Sequence, residues 1–142
     1  MTLSQKISMI TGGDVNGSWT ALEYKDGTMG IETAYDVSAF SQASALAYSF
    51  DKDLMYEQGS AIGREFYLRG YQVVNGPTSG PLGRTPWSGR LGETLGQDSY
   101  LNGIAFSLLT KAFVDQGVIP GGKVSTLLSI QCALSNIYST FY

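Results

Sequence analysis

The sequence contains no histidine and a single cysteine, Cys132, among its 142 residues. Histidine is the usual general base at neutral pH and the most frequent metal ligand, and a lone thiol cannot form a disulfide within its own chain. These absences exclude Ser-His and Cys-His catalysis, and a histidine-ligated zinc site, within this sequence. We therefore expect neither a metal nor a cofactor, and the acidic side chains remain as the source of acid–base chemistry.

Long apolar runs and clusters of positive charge are also absent. No run reaches the length of about 18 apolar residues that indicates a membrane-spanning helix. The opening "MTLSQKISMITGG" lacks the charged, apolar and small-residue order of a signal peptide. The net charge is −3 and the basic residues are scattered, which does not fit a nucleic-acid backbone. We expect no membrane-spanning segment, no signal peptide in this sequence and no nucleic-acid partner.

What is present suffices for one globular domain, since 43% of the residues are hydrophobic and 15% are charged. Residues 51–70 predict a helix that Asp51 or Asp53 can cap and that Gly70 ends. Two internal glycines lower its helix propensity by about 1 kcal/mol each relative to alanine, and we interpret them as places of close packing on a sheet. The two glycines are Gly59 and Gly63, and the apolar positions at helical spacing are Leu54, Met55, Ile62 and Phe66.

A second helix is predicted from an apolar stripe that follows a cap at Asp98 or Ser99 and that Gly117 closes. The uninterrupted stripe predicts a helix packed along one face. Its members are Leu101, Ile104, Ala105, Leu108, Leu109, Ala112 and Phe113.

Three short strand candidates alternate with these helices, at residues 20–25, 71–75 and 118–119. The last two each begin just after a helix-ending glycine. Alternation of strands with helices of this length predicts an α/β fold in which helices cover a parallel sheet. In such sheets, and in (β/α) barrels especially, ligands bind where loops leave the carboxyl ends of the strands.

The loop after the second strand is rich in glycine and proline. The stretch "YQVVNGPTSGPLGRTPWSGRLGETLGQDSYL" contains six glycines and three of the four prolines, with Arg84 and Arg90 among them. These residues fix or permit unusual backbone angles, which suits a connection that holds its shape beside a ligand. A solvated linker is the alternative, and the strong helices on both sides argue against it.

The segment "GVIPGGKV", residues 117–124, approaches the phosphate-binding pattern G-x-x-x-x-G-K-[ST]. Val124 stands where a hydroxyl should hold magnesium, and Gly117 ends a helix instead of following a strand. Nucleotide binding is therefore the least favoured interpretation. From Val124 to Tyr142 the chain has no charge, glycine or proline, and its apolar spacing is compatible with a packed terminal helix.

Four carboxylates lie near predicted loops: Asp26, Asp36, Glu93 and Asp98. Glycoside cleavage needs two carboxyl groups that straddle the scissile bond. We expect Asp98 to cap a helix and Glu93 to brace the loop through its arginines, while Asp36 has no distinguishing context. Asp26, in "YKDGTMG", follows a strand candidate and is available to a ligand, although an Asp-Gly turn is the commoner explanation for such a pair.

Two stretches of the sequence resemble the N-terminal part of glycoside hydrolase family 3 β-glucosidases of the fungal type. They are "MTLSQKISMITG" and "SFDKDLMYEQGSAIGREFYLRGYQVVNGPTSGPLGRTPWSGRLGETLGQDSYLNGIA". The resemblance extends from Met1 to about Ile119, and "GPLGR", the Gly89-Arg90 pair, Glu93 and "QDSYL" fall in register with the family pattern.

For the fold, the resemblance implies a partial (β/α)8 TIM barrel. A closed barrel needs about 250 residues, so this chain supplies roughly the first three βα units of eight. Residues 1–122 are then an incomplete N-terminal barrel domain, and residues 123–142 are a tail that departs from the family.

For the site, the resemblance implies binding of the nonreducing terminal glucose of a β-glucoside, which the family hydrolyses with retention. Arg90 aligns with the arginine that holds sugar hydroxyls, and Asp26 aligns with the aspartate that grips the sugar. Thr28 and Glu32 stand where the family pattern has proline and arginine. Lys123 aligns with a sugar-binding lysine, directly before the resemblance ends.

No residue of this chain aligns with a catalytic one, because the nucleophile and the acid/base of the family come from later segments. The sequence therefore predicts a truncated β-glucosidase that is inactive alone, with the remaining barrel and a second domain expected in a full-length protein. The alternatives are a noncatalytic sugar-binding fragment and, less favoured, a nucleotide-binding α/β protein. Family resemblance also implies an extracellular location.

Overall fold

A computed structural model describes residues 1–80 and 90–124. Arg84 and the proposed terminal helix lie outside these residues. Within them, no helix has the length and apolar character needed to cross a membrane. The elements, in chain order, are α1 (Leu3–Ile10), β1 (Tyr24–Asp26), α2 (Ala43–Ala47), α3 (Lys52–Leu68), β2 (Val73–Asn75), β3 (Thr78–Ser79), a 3-10 turn (Leu91–Glu93), α4 (Ser99–Asp115), β4 (Ile119–Pro120) and β5 (Lys123–Val124).

Three strands form a parallel sheet in the order β1-β2-β4. Asp26, the last residue of β1, lies opposite Asn75, the last residue of β2, and β2 pairs in turn with β4. A second parallel pair joins β3 to β5, with Thr78 opposite Lys123. The predicted α/β fold with a parallel sheet is confirmed.

The first strand begins later than the sequence predicts. Residues 20–25 were expected to be extended as one strand, whereas β1 starts only at Tyr24. The backbone N–H of Glu23 donates to the Gln72 side-chain Oε1 at 2.7 Å. A side chain therefore takes the backbone N–H of Glu23, and the paired residues of the two strands begin with Tyr24 opposite Val73.

Both long helices begin at the predicted caps. The Asp51 carboxylate accepts hydrogen bonds from the N–H groups of Asp53 and Leu54, at 3.0 and 3.1 Å. The Asp98 carboxylate accepts one from the N–H of Leu101 at 2.7 Å. Each cap satisfies backbone donors that the first helical turn leaves without a partner, which stabilises a helix by about 1 kcal/mol.

The two helices also end in the same way. Gly70 and Gly117 both have φ of 82°, a left-handed conformation that glycine adopts at little cost. After α3 the N–H of Tyr71 donates to the carbonyl of Phe66 at 3.1 Å, and after α4 the N–H of Val118 donates to that of Phe113 at 3.1 Å. This repeated ending turns the chain from each helix directly into the next parallel strand.

The glycines inside α3 face α4, so the prediction that they pack on a sheet is wrong. A Cβ placed on Gly59 would lie 2.8 Å from the Cβ of Ala112 and 2.9 Å from Cδ2 of Leu109. On Gly63 it would lie 3.1 Å from the Cβ of Gln116. The missing side chains let the two helix backbones approach each other closely.

The sheet and the two long helices enclose a core of fully or nearly fully buried apolar side chains. Burying each large member stabilises the fold by about 1.5–3 kcal/mol. Between sheet and helices lie Ile31, Ile62, Phe66, Val74, Phe113 and Val118. Between α2, α3 and α4 lie Ala43, Leu46, Ala47, Met55, Leu95, Ala105 and Leu109.

Candidate functional site

Two polar side chains meet at the carboxyl edge of the three-stranded sheet. Asp26 and Asn75 end neighbouring strands in matched register, and Asn75 donates a hydrogen bond from Nδ2 to Oδ1 of Asp26 at 3.0 Å. Both side chains are partly buried. This is the edge at which α/β proteins bind ligands.

Lys123 reaches the same carboxylate from the far end of the described chain. Its Nζ lies 2.8 Å from Oδ2 of Asp26, although the two residues are 97 positions apart. The side chains are 30% and 35% exposed, respectively, so the pair is shielded on most sides but open to a ligand.

The glycine turn before Lys123 brings it there. The N–H of Gly121 donates to the carbonyl of Val74 at 2.7 Å, and the N–H of Gly76 donates to the carbonyl of Gly121 at 2.9 Å. A Cβ on Gly121 would lie 3.2 Å from Oδ1 of Asn75. The turn therefore crosses the tip of β2 in close contact and delivers Lys123 above the end of β1.

The environment keeps the Asp26 carboxyl group ionised. Its hydrogen bond with Lys123 is the largest influence and lowers the pKa of Asp26, while partial burial acts in the opposite direction. The hydrogen bond from Asn75 and the positive charges of Lys123 and Arg90 lower this pKa further. At neutral pH Asp26 is therefore an anionic hydrogen-bond acceptor.

Arg90 lies just before the 3-10 turn and is held by Glu93. Its Nε lies 2.7 Å from Oε1 of Glu93 and its Nη2 lies 2.9 Å from Oε2, a bidentate pair that orients the guanidinium plane. This hydrogen bonding raises the pKa of Arg90, as do the nearby charges of Asp26 and Glu32. The prediction that Glu93 braces an arginine of the loop is confirmed for Arg90.

Of the three residues proposed from the sequence, two are in contact and the third acts on them only through its charge. Asp26 and Lys123 are in direct contact. Arg90 is bonded to neither of them within the described residues, and its charge acts on Asp26 through space. Its side chain is 68% exposed, which leaves its other N–H groups available as donors.

The other candidate carboxylates have structural roles or lie elsewhere. Asp98 caps α4 as predicted. Asp36 is exposed, with φ of 55° and a backbone carbonyl that accepts a hydrogen bond from Arg69. Among residues 1–80 and 90–124, no group of three or more acidic or cysteine side chains could hold a metal ion.

The nucleotide-binding alternative finds no support in the geometry. Gly117 ends a helix with positive φ, and the segment after it enters a strand instead of a helix. The lysine of the pattern, Lys123, is bonded to Asp26. A phosphate cradle needs a helix N-terminus directly after its glycines, and β5 follows here instead.

Asn75 was not identified from the sequence. The signal was present, because "YQVVN" is an apolar strand candidate that ends on a polar side chain. Neighbouring parallel strands place their carboxyl ends together, so a polar residue ending one strand is expected near Asp26, which ends the next.

Glycine directly after Asp26 ties the site to the core. A Cβ on Gly27 would lie 2.5 Å from Cζ of Phe66 and 2.7 Å from Cγ1 of Val74. The backbone behind the Asp26 carboxylate therefore rests on two buried side chains. A smaller side chain at position 66 would therefore remove part of the packing behind the Asp26 backbone.

Comparisons with individual curated proteins and with solved structures agree with each other. No family model matches the chain. Probable β-glucosidase D of Aspergillus flavus is 57% identical over 126 residues, which cover 87% of this chain and 17% of that protein. A glycoside hydrolase family 3 β-glucosidase from Neurospora crassa superposes with a TM-score of 0.71 at 34% identity, over 75% of this chain and 13% of that one. β-Glucosidase 3B from Thermotoga neapolitana, in complex with glucose, gives 0.65 at 29% identity, over 75% and 16%.

The similarity therefore holds in both sequence and backbone. The chain spans about one sixth of the length of the curated relatives it matches. The resemblance noted in the sequence is confirmed: between 75% and 87% of this chain is similar to glycoside hydrolase family 3 β-glucosidases and to proteins named β-glucosidase.

Proposed function

We propose that this chain supplies part of the sugar-binding site of a β-glucosidase. In this proposal Asp26, Arg90 and Lys123 bind hydroxyl groups of the nonreducing terminal glucose of a β-glucoside. The observation that supports it most directly is the 2.8 Å contact between Lys123 and Asp26. It joins the carboxyl edge of the sheet to a residue 97 positions away.

The chemistry of the three side chains suits a sugar. Each hydroxyl of a hexose can both donate and accept a hydrogen bond. Asp26 is an anionic acceptor, and Arg90 and Lys123 are cationic donors, so neighbouring hydroxyls of one ring find complementary partners. Hydrogen bonds to charged groups are worth about 1.5–3 kcal/mol each. The glucose complex of the similar Thermotoga neapolitana enzyme is in keeping with this ligand.

We also propose that this chain forms the first βα units of a (β/α)8 barrel. The strands β1, β2 and β4 lie side by side in the sheet in the order in which they occur along the chain, and they are parallel and separated by helices, as the first three strands of a (β/α)8 barrel would be. Residues 1–122 would then be an incomplete barrel domain. The catalytic nucleophile and acid/base would come from the part of its relatives that this chain does not cover, and the whole protein would act outside the cell.

Glucose titration of the purified chain tests the binding role. We expect Arg90→Ala to weaken glucose binding about tenfold, because one charge-assisted contact is lost. Arg64→Ala is the matched control, since Arg64 lies exposed on α3 away from the sheet edge. Calorimetry or NMR titration measures both. Equal affinities of wild type and Arg90→Ala would remove Arg90 from the site.

Hydrolysis of a chromogenic β-glucoside tests whether the catalytic groups lie in segments other than this chain. Because bond cleavage needs two carboxyl groups that straddle the scissile bond, we expect no turnover by the 142-residue chain and clear turnover by a full-length protein that contains it. Glucose binding without turnover in the full-length protein would favour the noncatalytic alternative. Turnover by the chain alone would contradict the assignment of the catalytic groups to other segments.

A further inference from the structure

The two oxygens of the Asp26 carboxylate are held from two directions. Oδ2 contacts Lys123, which the proposed function assigns to the sugar, and Oδ1 accepts from Asn75 at 3.0 Å. Asn75 has no part in the sugar contacts proposed above. A carboxylate oxygen accepts about two hydrogen bonds, so with respect to residues 1–80 and 90–124 each oxygen of Asp26 retains one open acceptor position.

We propose that Asn75 is a positioning residue, which fixes the plane of the Asp26 carboxylate so that both oxygens present their open acceptor positions to hydroxyls of one sugar. This inference rests on the sugar-binding function proposed above. It adds a residue that acts through Asp26 instead of on the ligand.

The side chain of Asn75 has less conformational freedom than that of Lys123, which suits a positioning role. Asn75 is a short side chain on β2, the strand that is hydrogen-bonded on both sides. Its Oδ1 lies against the Gly121 backbone, where an added Cβ would come within 3.2 Å. Lys123 has a long side chain with many rotamers and is free to exchange partners when a sugar arrives. A fixed amide donor can therefore hold the carboxylate plane while the lysine moves.

An amide is the group that the position requires. Leucine has a similar volume but offers no donor. Aspartate would place a second carboxyl group against the first and make the two titrate as a coupled pair. Among residues 1–80 and 90–124, the other charged groups around Asp26 are Lys123 on β5, Arg90 with its partner Glu93 near the 3-10 turn, and Glu32. The N–H of Glu32 donates to the Asp26 carbonyl at 3.0 Å.

The test compares the wild-type chain with Asn75→Leu. Removal of a donor to the carboxylate disfavours its charged form, so we expect the pKa of Asp26, followed by carbon-detected NMR in the free protein, to rise. Glucose affinity should fall about tenfold. The loss of affinity that accompanies protonation of Asp26 should also begin at a higher pH than in the wild type. Gln72→Leu is the control, because Gln72 is an amide directly before the first residue of β2, and its hydrogen bonds are with Glu23 and Gly70. It should leave the Asp26 titration unchanged.

An unchanged Asp26 titration in Asn75→Leu would overturn the positioning role. If Asn75→Leu does not fold, Asn75→Asp replaces it with nearly the same volume, and the pair should then show one apparent pKa well above that of wild-type Asp26. Two unshifted titrations would again overturn the proposal. A raised Asp26 pKa in a chain that binds no glucose in any form would retain the positioning role and reject the sugar site, so the two failures are distinguishable.

Discussion

Under the proposed sugar-binding role, replacement of Asp26 by asparagine is expected to reduce the glucose affinity of the chain roughly a hundredfold, because two charge-assisted hydrogen bonds to the sugar would weaken together. The substitution keeps the volume and removes the charge. It also leaves Lys123, whose side chain is only 30% exposed, without its counterion. Glucose titration by calorimetry or NMR measures the loss.

Asp36→Asn is the control for this change. Asp36 is also a loop carboxylate, but it is exposed, and asparagine tolerates its positive φ of 55°. We expect its glucose affinity to equal that of the wild type. A similar affinity in Asp26→Asn and Asp36→Asn would show that the anion at the strand end does not bind the sugar.

The Asp26→Asn variant should also differ from the wild type in the pH dependence of its stability. The pKa of Asp26 is lowered in the folded chain, so the ion pair stabilises the fold above the ordinary aspartate pKa. That contribution is lost as the pH falls through the lowered value. Urea denaturation across this acid range should therefore show a smaller loss of stability in Asp26→Asn than in the wild type. Identical pH dependence in both proteins would contradict the stabilising pair.

Truncation of Phe66 to alanine is expected to lower the free energy of unfolding by about 3–5 kcal/mol, because it opens a cavity in the core. Phe66 is 0% exposed and packs with Val74 of the central strand and Phe113 of α4. Much of the total stability of a domain of this size would be lost. Urea or thermal denaturation followed by circular dichroism measures the change.

Tyr67→Ala is the adjacent control, since Tyr67 is 63% exposed and should change the free energy of unfolding by only about 0.5 kcal/mol. Phe66→Ala should also weaken glucose binding under conditions where the variant remains folded, because Phe66 supports the backbone at Gly27. Equal destabilisation by both variants would contradict the position of Phe66 at the centre of the core.

The sequence predicts the long helices well because their signals are redundant. In α3 the cap at Asp51, the apolar spacing and the glycine at Gly70 all agree. The short helix α1 is not among the predicted elements, although Thr2 and Gln5 form a reciprocal capping box whose pattern is visible in the sequence. Helix α2 has five residues and no side-chain cap, too little for periodicity to detect.

Strand bounds and strand partners are less predictable, because they depend on distant residues. β1 starts late since side chains bind the backbone before it, as when the N–H of Ala21 donates to Oδ1 of Asp14 at 2.7 Å. β3 and β5 have two residues each and exist through their pairing. In the site, the position of Asp26 at the end of a strand candidate predicts it as a ligand-binding residue. Its contact with Asn75 depends on the register of two strands, which the sequence does not encode locally.

Because Lys123 and Asp26 lie on the last and the first described strands, a ligand that binds both should bind only to molecules that have folded from β1 to β5. The first strand contributes the anion and the last described strand contributes the cation, so neither a nascent chain that stops before Lys123 nor one with a detached β1 can present the assembled pair. A ligand that needs both groups would be retained only by molecules in which every intervening βα unit has docked. Immobilised glucose would then retain completely folded molecules and release incompletely folded ones.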